Sequence, residues 1–189
     1  SYIVEDESTH EAIVIDPSWD LEKLTEIINE QNLNPKYIIN THWHDDHTRG
    51  NEDLAKELSV KIVQHSASQL KNDLTVSDGD SIKFGCSELA VYHTPGHSKD
   101  SICLVGDGKI FSGDTLFVGN CGRIDLPGGS AKELYHGLFD VIANLSDDLV
   151  LYPGHDYGSS STSTIGKEKQ TNPVMQKMSE NEFVERMGG

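Results

Sequence analysis

The sequence is short of positive charge, of long apolar runs and of cysteine. Lys and Arg number 15 against 31 Asp and Glu, so the net charge is −16 and no basic surface is left to neutralise a phosphate backbone or an anionic membrane. No apolar run approaches the roughly 18 residues that span a bilayer. The three cysteines form no C-x-x-C motif and are odd in number, which argues against a disulfide framework. We expect a cytoplasmic protein without nucleic-acid or membrane partners.

Length and hydrophobic periodicity are typical of an α/β protein. The 189 residues are enough for one domain with a substantial core and too few for two of ordinary size. Runs rich in β-branched residues predict strands, and apolar residues at helical spacing predict helices. The strands are expected at 2–4, 12–15, 37–39, 60–63, 89–92, 102–105, 109–111 and 149–152, and the helices at 20–30, 51–58 and 131–145.

The two ends of the chain give further expectations. The chain opens with Ser1 and runs at once into an apolar segment, so the first strand of the fold is expected to be missing or to lie upstream. A Ser/Thr/Gly run at 158–164 predicts a surface loop, and the polar segment 167–189 predicts a tail that ends in a fraying helix. We therefore predict one domain over 1–189, with 158–189 as loop and C-terminal tail.

Possible metal ligands follow four of the predicted strands at the point where each strand ends. They are His42, His97, Asp114 and His155. A glycine directly precedes three of these four residues, as expected where the backbone turns sharply or approaches a neighbour closely. Because rigid strands can deliver side chains to one edge of a sheet, we expect these residues to converge.

The segment from His42 to His47 carries the most specific signal, with four ligand-type residues in six positions. In an extended segment His42 and His44 point to the same side, so both rings can face one metal ion. Asp46 and His47 are adjacent and cannot easily serve that same ion, which indicates a second metal position beside the first. All these candidates offer N or O donors, which favours Zn, Fe or Mn. The remaining histidines are expected to be surface or supporting residues: His10, His65, His93 and His136.

The pattern resembles the H-x-H-x-D-H signature of the metallo-β-lactamase superfamily. His97, Asp114 and His155 stand where the remaining ligands of that family stand, in the same order. The resemblance covers nearly the whole chain, from residue 2 to about residue 173. It implies an α/β fold, a four-layer αββα sandwich of two mixed β-sheets flanked by helices, with the site on one edge.

Three branches of this superfamily compete. The β-lactamases most often lack the spacing found around Asp114. Glyoxalase II shares all seven ligands, but its glutathione-binding helical domain follows the last ligand, and residues 156–189 are too few for such a domain. The segments 121–123 and 155–157, Cys-Gly-Arg and His-Asp-Tyr, are most similar to the ETHE1-like persulfide dioxygenases.

The resemblance to the persulfide dioxygenases implies one Fe(II) per chain, held by His42, His97 and Asp114. Such a two-histidine, one-carboxylate set leaves positions open for water, O₂ and a substrate sulfur. The other four ligand-type residues would then orient the ligands and hydrogen-bond water: His44, Asp46, His47 and His155. The candidate catalytic residues are Arg123, Tyr157 and Asp46, and the candidate substrate-binding residues are Arg123, Cys121 and Tyr157.

Two enzymatic functions stay open at this point. The first is a mononuclear non-haem iron dioxygenase that converts a low-molecular-weight thiol persulfide, such as glutathione persulfide, with O₂ to sulfite and the thiol. The alternative is a glyoxalase II-like thioester hydrolase, in which two Zn(II), or a mixed Fe/Zn pair, share Asp114 and activate a water. A non-enzymatic metal-binding domain is the third interpretation. A homodimer is implied by the resemblance alone.

Overall fold

Two β-sheets pack face to face in the computed structural model, which describes residues 1–188. The first sheet contains, in spatial order, β1 (Tyr2–Glu5), β2 (Glu11–Ile15), β3 (Asn34–Ile39), β4 (Lys61–His65) and β5 (Leu74–Val76). The pair β1–β2 is antiparallel and the other pairs are parallel. The next strands are β6 (Ser81–Phe84), β7 (Ser87–His93), β8 (Ile102–Gly106), β9 (Lys109–Gly113), β10 (Leu116–Phe117), β11 (Asn120–Cys121), β12 (Val150–Pro153) and β13 (Ser163–Thr164).

Six of these later strands form the second sheet, in the order β13-β12-β9-β8-β7-β6. Its pairs are antiparallel except β12 with β9. The short strands β10 and β11 form a separate two-stranded hairpin. Both main sheets therefore mix parallel and antiparallel pairs, as expected.

Strand β2 shows why the sheets are covered on both faces. Ile13 and Ile15 lie in the cluster between the two sheets, whereas Ala12 and Val14 lie in a cluster on the outer face. All four are fully buried, because successive side chains of a strand point to opposite faces and here both faces are apolar. A strand of this kind needs a sheet on one side and helices on the other.

Helices supply the two outer layers. They are α1 (Leu21–Glu30), α2 (Asp45–Thr48), α3 (Asn51–Leu58), α4 (Ala131–His136), α5 (Ile165–Thr171) and α6 (Glu180–Met187). Leu24 and Leu54, from α1 and α3, pack on the outer face of the first sheet. Leu134 and Phe183, from α4 and α6, pack on the outer face of the second. The four-layer αββα fold expected from the sequence is thereby confirmed. None of these helices is long and apolar enough to cross a membrane.

The helix expected at 131–145 is regular only over its first part. After α4 the chain continues as a π-helical turn, Gly137–Val141, and a 3₁₀ turn, Ile142–Asn144. The fully buried residues Leu134, Leu138 and Ile142 are spaced by four. A π turn holds more residues per turn than the 3.6 of an α-helix, so it keeps residues at this spacing on one face.

Other boundaries also differ from the expectations. The helix expected at 20–30 begins one residue later, as α1. Asp20 precedes it with a left-handed backbone and makes no side-chain capping hydrogen bond. The expected loop at 158–164 ends in strand β13, which pairs with β12. Strands β5, β6, β10 and β11 and helices α2 and α5 are too short or too polar to show a clear period in the sequence.

The C-terminal segment is part of the folded structure through residue 188. Helix α6 begins with a capping box, in which Ser179 and Glu182 satisfy each other's backbone N–H groups. Phe183 on this helix is 0% exposed and packs against the aromatic rings of Tyr135 and Phe139. The expected terminal helix is present at residues 180–187, where Phe183 packs it against the core, and Gly189 lies outside the described residues.

Replacing Phe183 by Ala is expected to lower the free energy of unfolding by about 3–5 kcal/mol, because a fully buried ring leaves a cavity between α4 and α6. Denaturant unfolding would measure this loss. The control, Glu185→Ala, changes an exposed residue of the same helix and should stay within about 0.5 kcal/mol of the parent. A Phe183→Ala loss as small as the control's would mean that α6 contributes little to the core.

Candidate metal centre

The ends of four strands deliver all seven predicted ligands to one edge of the sandwich. The segment with His42 and His47 follows β3, and His97 follows β7. Asp114 comes directly after β9, and His155 comes shortly after β12. Since β3 belongs to the first sheet and the other strands to the second, the site lies where the two sheets meet.

The first group of ligands consists of His42, His44 and His97. One nitrogen of each ring lies within 4.8 Å of the others. His97 Nε2 is 2.9 Å from His44 Nδ1, and the rings of His42 and His44 are 4.7 Å apart. The two histidines that are two residues apart thus face a common point, as the extended spacing predicted.

The second group consists of Asp46, His47 and His155, whose ligand atoms also lie within 4.8 Å of one another. Asp46 and His47 extend from the short helix α2, which begins after His44. His155 Nε2 lies 3.2 Å from His47 Nε2 and 3.3 Å from Asp46 Oδ2. A single helical turn therefore brings two adjacent residues to the same position beside the first group.

Asp114 lies between the two groups. Its Oδ1 is 3.3 Å from His47 Nε2, and its Oδ2 is 3.5 Å from both His97 Nε2 and His155 Nε2. The carboxylate is 7% exposed. It contacts histidines of both groups, which is the position expected of a ligand that both groups share.

Two buried polar atoms at this centre have no hydrogen-bond partner, His42 Nε2 and Asp114 Oδ1, whereas the His44 nitrogen that faces His97 is Nδ1. Buried polar atoms are normally satisfied, so unpartnered ones need an explanation such as an ion. Ligands about 2.0–2.1 Å from a metal lie about 3.0–3.4 Å from each other. The spacings of 2.9 to 3.5 Å among His44, His97 and Asp114 agree with that value. The residues thus fit a metal ion.

The electrostatics of His42 and His44 suit metal binding, whereas those of His47 favour the protonated ring. Burial, reinforced by the neighbouring ring of His47, lowers the pKa of His42 well below its ordinary value, and burial lowers the pKa of His44. Both rings are then neutral at pH 7 and have a free lone pair. Burial acts against charge on His47, but the carboxylates of Asp16 and Asp114 outweigh it and raise the pKa of His47 to about 10.

Asp114 is held in its ionised form. Burial alone would raise its pKa, but the facing rings of His155 and His47 outweigh burial and keep the pKa of Asp114 well below its usual range. The carboxylate therefore offers two anionic oxygen atoms at neutral pH. Together with the neutral rings of His42 and His44, this set matches the protonation states that metal ligands need.

Asp16 supports the site, although it was not predicted from the sequence. Its Oδ2 lies 2.9 Å from His47 Nδ1, and its two carboxylate oxygens accept the backbone N–H and the hydroxyl of Thr41. Asp16 follows β2 directly, at the same kind of strand end as the ligands. This position directly after a strand is the feature of the sequence that could have identified Asp16. The carboxylate fixes the ring orientation of His47 and the start of the ligand segment.

Replacing Asp16 by Asn is expected to reduce metal affinity about 10–100-fold, because one carboxylate oxygen that holds His47 or Thr41 is lost. Metal titration of the apoprotein would measure the change. Asp20→Asn is the matched control, since both residues have left-handed backbones and Asp20 is exposed. Equal affinities for the two variants would exclude an orienting role for Asp16.

Two of the glycines before ligands explain the close packing of the centre. At Gly154, a Cβ atom would lie 2.3 Å from Asp114 Oδ1 and 2.9 Å from His47 Cε1. Gly113 has a positive φ of 49°, and a Cβ there would lie 2.4 Å from the Thr41 hydroxyl oxygen. Any side chain at these positions would displace ligands or their supports, as the sequence pattern indicated.

A cavity of about 330 Å³ opens in front of the ligands. Its wall includes the three residues predicted to bind substrate, Arg123, Cys121 and Tyr157. Arg123 is exposed and pairs with both carboxylate oxygens of Asp125, while its backbone carbonyl accepts a hydrogen bond from His97 Nδ1. Tyr157 is 71% exposed and stacks on His155 at 4.9 Å.

Cys121 takes a different position from the other two substrate candidates. Its side chain is 6% exposed, and its sulfur lies 4.0 Å from Met187 Sδ. Burial raises the pKa of the Cys121 thiol to about 12. The residue therefore contributes a neutral thiol to the wall rather than a thiolate. Phe117, which was not predicted from the sequence, packs its ring against His155 and Tyr157 in the same wall.

The remaining histidines stay outside the ligand groups. His10 pairs with Glu5 at the surface, and His136 pairs with Asp140. His65 is buried and stacks on His93 at 4.0 Å.

Comparison with known proteins assigns the chain to a family. A sequence profile described as the metallo-beta-lactamase superfamily matches residues 1–155. The chain therefore belongs to the metallo-β-lactamase superfamily.

Within that class, the similarity to persulfide dioxygenases extends over the whole chain. Persulfide dioxygenase ETHE1, mitochondrial, of Homo sapiens is 36% identical over 192 residues, which cover 100% of this chain and 75% of the human protein. The crystal structure of ETHE1 from Myxococcus xanthus has a TM-score of 0.95 at 32% identity, covering 100% of this chain and 84% of that one. Hydroxyacylglutathione hydrolase of Tolumonas auensis is 38% identical over 153 residues, or 78% of this chain and 58% of the hydrolase.

Proposed function

We propose that this protein is a mononuclear non-haem iron persulfide dioxygenase. In the overall reaction, one thiol persulfide, one O₂ and one water give one thiol, one sulfite and two protons. The observation that carries the proposal is a buried two-histidine, one-carboxylate set, in which His97 Nε2 is 3.5 Å from Asp114 Oδ2 and His42 Nε2 has no partner. Whole-chain similarity to persulfide dioxygenases supports it.

His42, His97 and Asp114 would hold one Fe(II). Iron bound by such a set supplies the redox chemistry that lets O₂ react with a sulfur atom. The protein's part is to keep the His42 ring neutral and the Asp114 carboxylate ionised, as their shifted pKa values indicate. His97 is held in orientation through its Nδ1, which is 2.7 Å from the Arg123 carbonyl oxygen.

Arg123 is proposed to bind a carboxylate of the thiol substrate. Its guanidinium lies at the mouth of the cavity and is paired with Asp125, with Nε 2.5 Å from Oδ1. Exposed ion pairs contribute little to stability, so a substrate carboxylate can replace Asp125. Guanidinium binds carboxylates through two parallel hydrogen bonds, which gives the substrate a defined orientation.

Tyr157, Cys121 and Asp46 complete the proposed substrate side. The Tyr157 hydroxyl is exposed at the cavity and would hydrogen-bond the reacting sulfur or oxygen atoms. Asp46, 3.3 Å from His155 Nε2, would orient water near the ligands. Cys121 would line the wall without reacting, because its thiol is buried and neutral.

A dinuclear thioester hydrolase is the second candidate function. It is favoured by the second ligand group, in which Asp46, His47 and His155 come within 4.8 Å of one another beside Asp114. Two Zn(II) or a mixed Fe/Zn pair would then share Asp114. Similarity to hydroxyacylglutathione hydrolase supports this alternative over part of the chain.

Measuring O₂ consumption and sulfite release from glutathione persulfide by the Fe(II)-loaded protein tests the proposal. One sulfite per O₂, with one iron per chain, is the expected result. Hydrolysis of lactoylglutathione by protein with two metals per chain, without O₂ uptake, would replace the proposal by the hydrolase.

The cytoplasmic location and the homodimer remain predictions. All three cysteines are unpaired, which agrees with a reducing compartment. The proposed partner is a small thiol persulfide, or a thioester under the alternative function.

A further inference from the structure

The hairpin β10–β11 forms one wall of the cavity, yet it has little pairing of its own. Only two residue pairs join its strands, Leu116 with Cys121 and Phe117 with Asn120. Isolated two-stranded hairpins are marginally stable in water. The hairpin therefore depends on contacts from elsewhere to keep its shape.

Two buried side chains of the C-terminal segment provide these contacts. Glu168 on α5 is 1% exposed, and Asn172 at the end of α5 is 0% exposed. The Gly119 backbone N–H donates to Glu168 Oε2 at 2.8 Å. Asn172 Nδ2 donates to the carbonyl oxygens of Phe117 at 3.2 Å and Asn120 at 3.1 Å.

Glu168 and Asn172 also hydrogen-bond to each other and to groups outside the hairpin. Asn172 Nδ2 is 2.9 Å from Glu168 Oε2, and Asn172 Oδ1 accepts the Val174 N–H. The other carboxylate oxygen of Glu168 accepts the Ser163 hydroxyl. Three backbone groups of the hairpin turn are thus satisfied by two side chains about 50 residues further along the chain.

The hairpin links this pair to the metal centre and to the substrate wall. Phe117 packs with its ring centre 6.0 Å from His155 and 5.4 Å from Tyr157. Directly after the hairpin, Gly122 lies so close to the centre that a Cβ there would be 2.0 Å from the Asp114 carbonyl oxygen and 2.9 Å from His97 Nδ1. A shift of the hairpin would therefore move the wall on which the substrate lies.

We infer that Glu168 and Asn172 are positioning residues, which hold the β10–β11 hairpin as the substrate wall of the metal centre. They touch neither the ligands nor the cavity; they act through the backbone of residues 117–120. The inference rests on the proposed function only where substrate kinetics are concerned. The conformation of the hairpin can be tested without any substrate.

Asn172→Asp is the sharpest test, because it keeps the side-chain shape but places an oxygen against Phe117 O, Asn120 O and Glu168 Oε2. We expect the Gly119 amide to exchange hydrogen at least about 10-fold faster in the metal-loaded protein. We also expect KM for glutathione persulfide to rise about 10-fold or more, with a smaller change in kcat and one metal per chain retained.

Glu168→Gln provides the conservative rescue. Its amide oxygen can still accept from Gly119 and Asn172 while its NH₂ donates to the Ser163 hydroxyl, so exchange and KM should stay within about threefold of the parent. Glu168→Ala should behave like Asn172→Asp. Ser163→Ala removes a hydrogen bond to the same carboxylate without touching the hairpin, and Gln170→Ala changes an exposed residue of α5.

The outcomes separate positioning from general destabilisation and from a wrong function. Unchanged Gly119 exchange in Asn172→Asp would overturn the inference. So would equal effects of Ser163→Ala and Asn172→Asp on KM, or an activity loss that only follows the folded fraction in thermal melts. If no variant, nor the parent, consumes O₂ with persulfide, the proposed function fails, but the exchange rates still decide the role of Glu168 and Asn172.

Discussion

Replacing Asp114 by Asn is expected to lower kcat/KM by about 1000-fold or more, which corresponds to about 4 kcal/mol of transition-state stabilisation. The amide has almost the same shape as the carboxylate, so packing against Gly154 is kept. What is lost is the negative charge and one of the two oxygens that face His47, His97 and His155. Metal content per chain should fall together with activity.

A matched control uses the other end of the same strand. Asp107 is exposed in the turn before β9 and pairs with Lys109, far along the strand from Asp114. Its left-handed backbone tolerates asparagine, so Asp107→Asn should keep metal content and kcat/KM. If Asp114→Asn retained its metal and at least a third of the parent's activity, the assignment of Asp114 as the central ligand would be wrong.

The ligands could be predicted from the sequence because each follows a strand whose apolar residues are easy to recognise. His97, Asp114 and His155 come from such strands, and the structure brings them to one edge of the sandwich. Asp16 follows the same rule after β2, but a single carboxylate gives no sign that it will accept from His47 rather than face solvent. Its role depends on the register of β2 beside β3.

Other parts of the site left no periodic signal. The four residues of α2 are too few to show a helical pattern, yet this turn determines how Asp46 and His47 both reach His155. Glu168 and Asn172 lie in a polar segment, where buried residues are not expected from composition. Their burial follows from the unpaired backbone groups of the hairpin, which only the three-dimensional structure brings near.

His42→Ala and Asp46→Ala are expected to separate a mononuclear from a dinuclear centre. His42 is 1% exposed and its Nε2 has no partner; its ligand atom lies within 4.8 Å of those of His44 and His97, and also of those of His47 and Asp114. Without it we expect less than about 10% of the parent's metal and about 1000-fold lower kcat/KM, because the proposed iron set of His42, His97 and Asp114 loses a ligand.

Asp46 is expected to behave differently under the proposed function. Its side chain is 49% exposed, and within the described residues the one ion pair that it forms is with His155. Asp46→Ala should therefore keep one iron per chain and lose about 10–100-fold in kcat/KM, as for a residue that supports the ligands. Metal analysis with O₂ uptake on both variants measures this, and melting curves confirm that each is folded. If the parent instead holds two metals per chain and Asp46→Ala holds one, Asp46 is a ligand of a second ion. Loss of a supporting residue would weaken metal binding without removing one whole ion per chain.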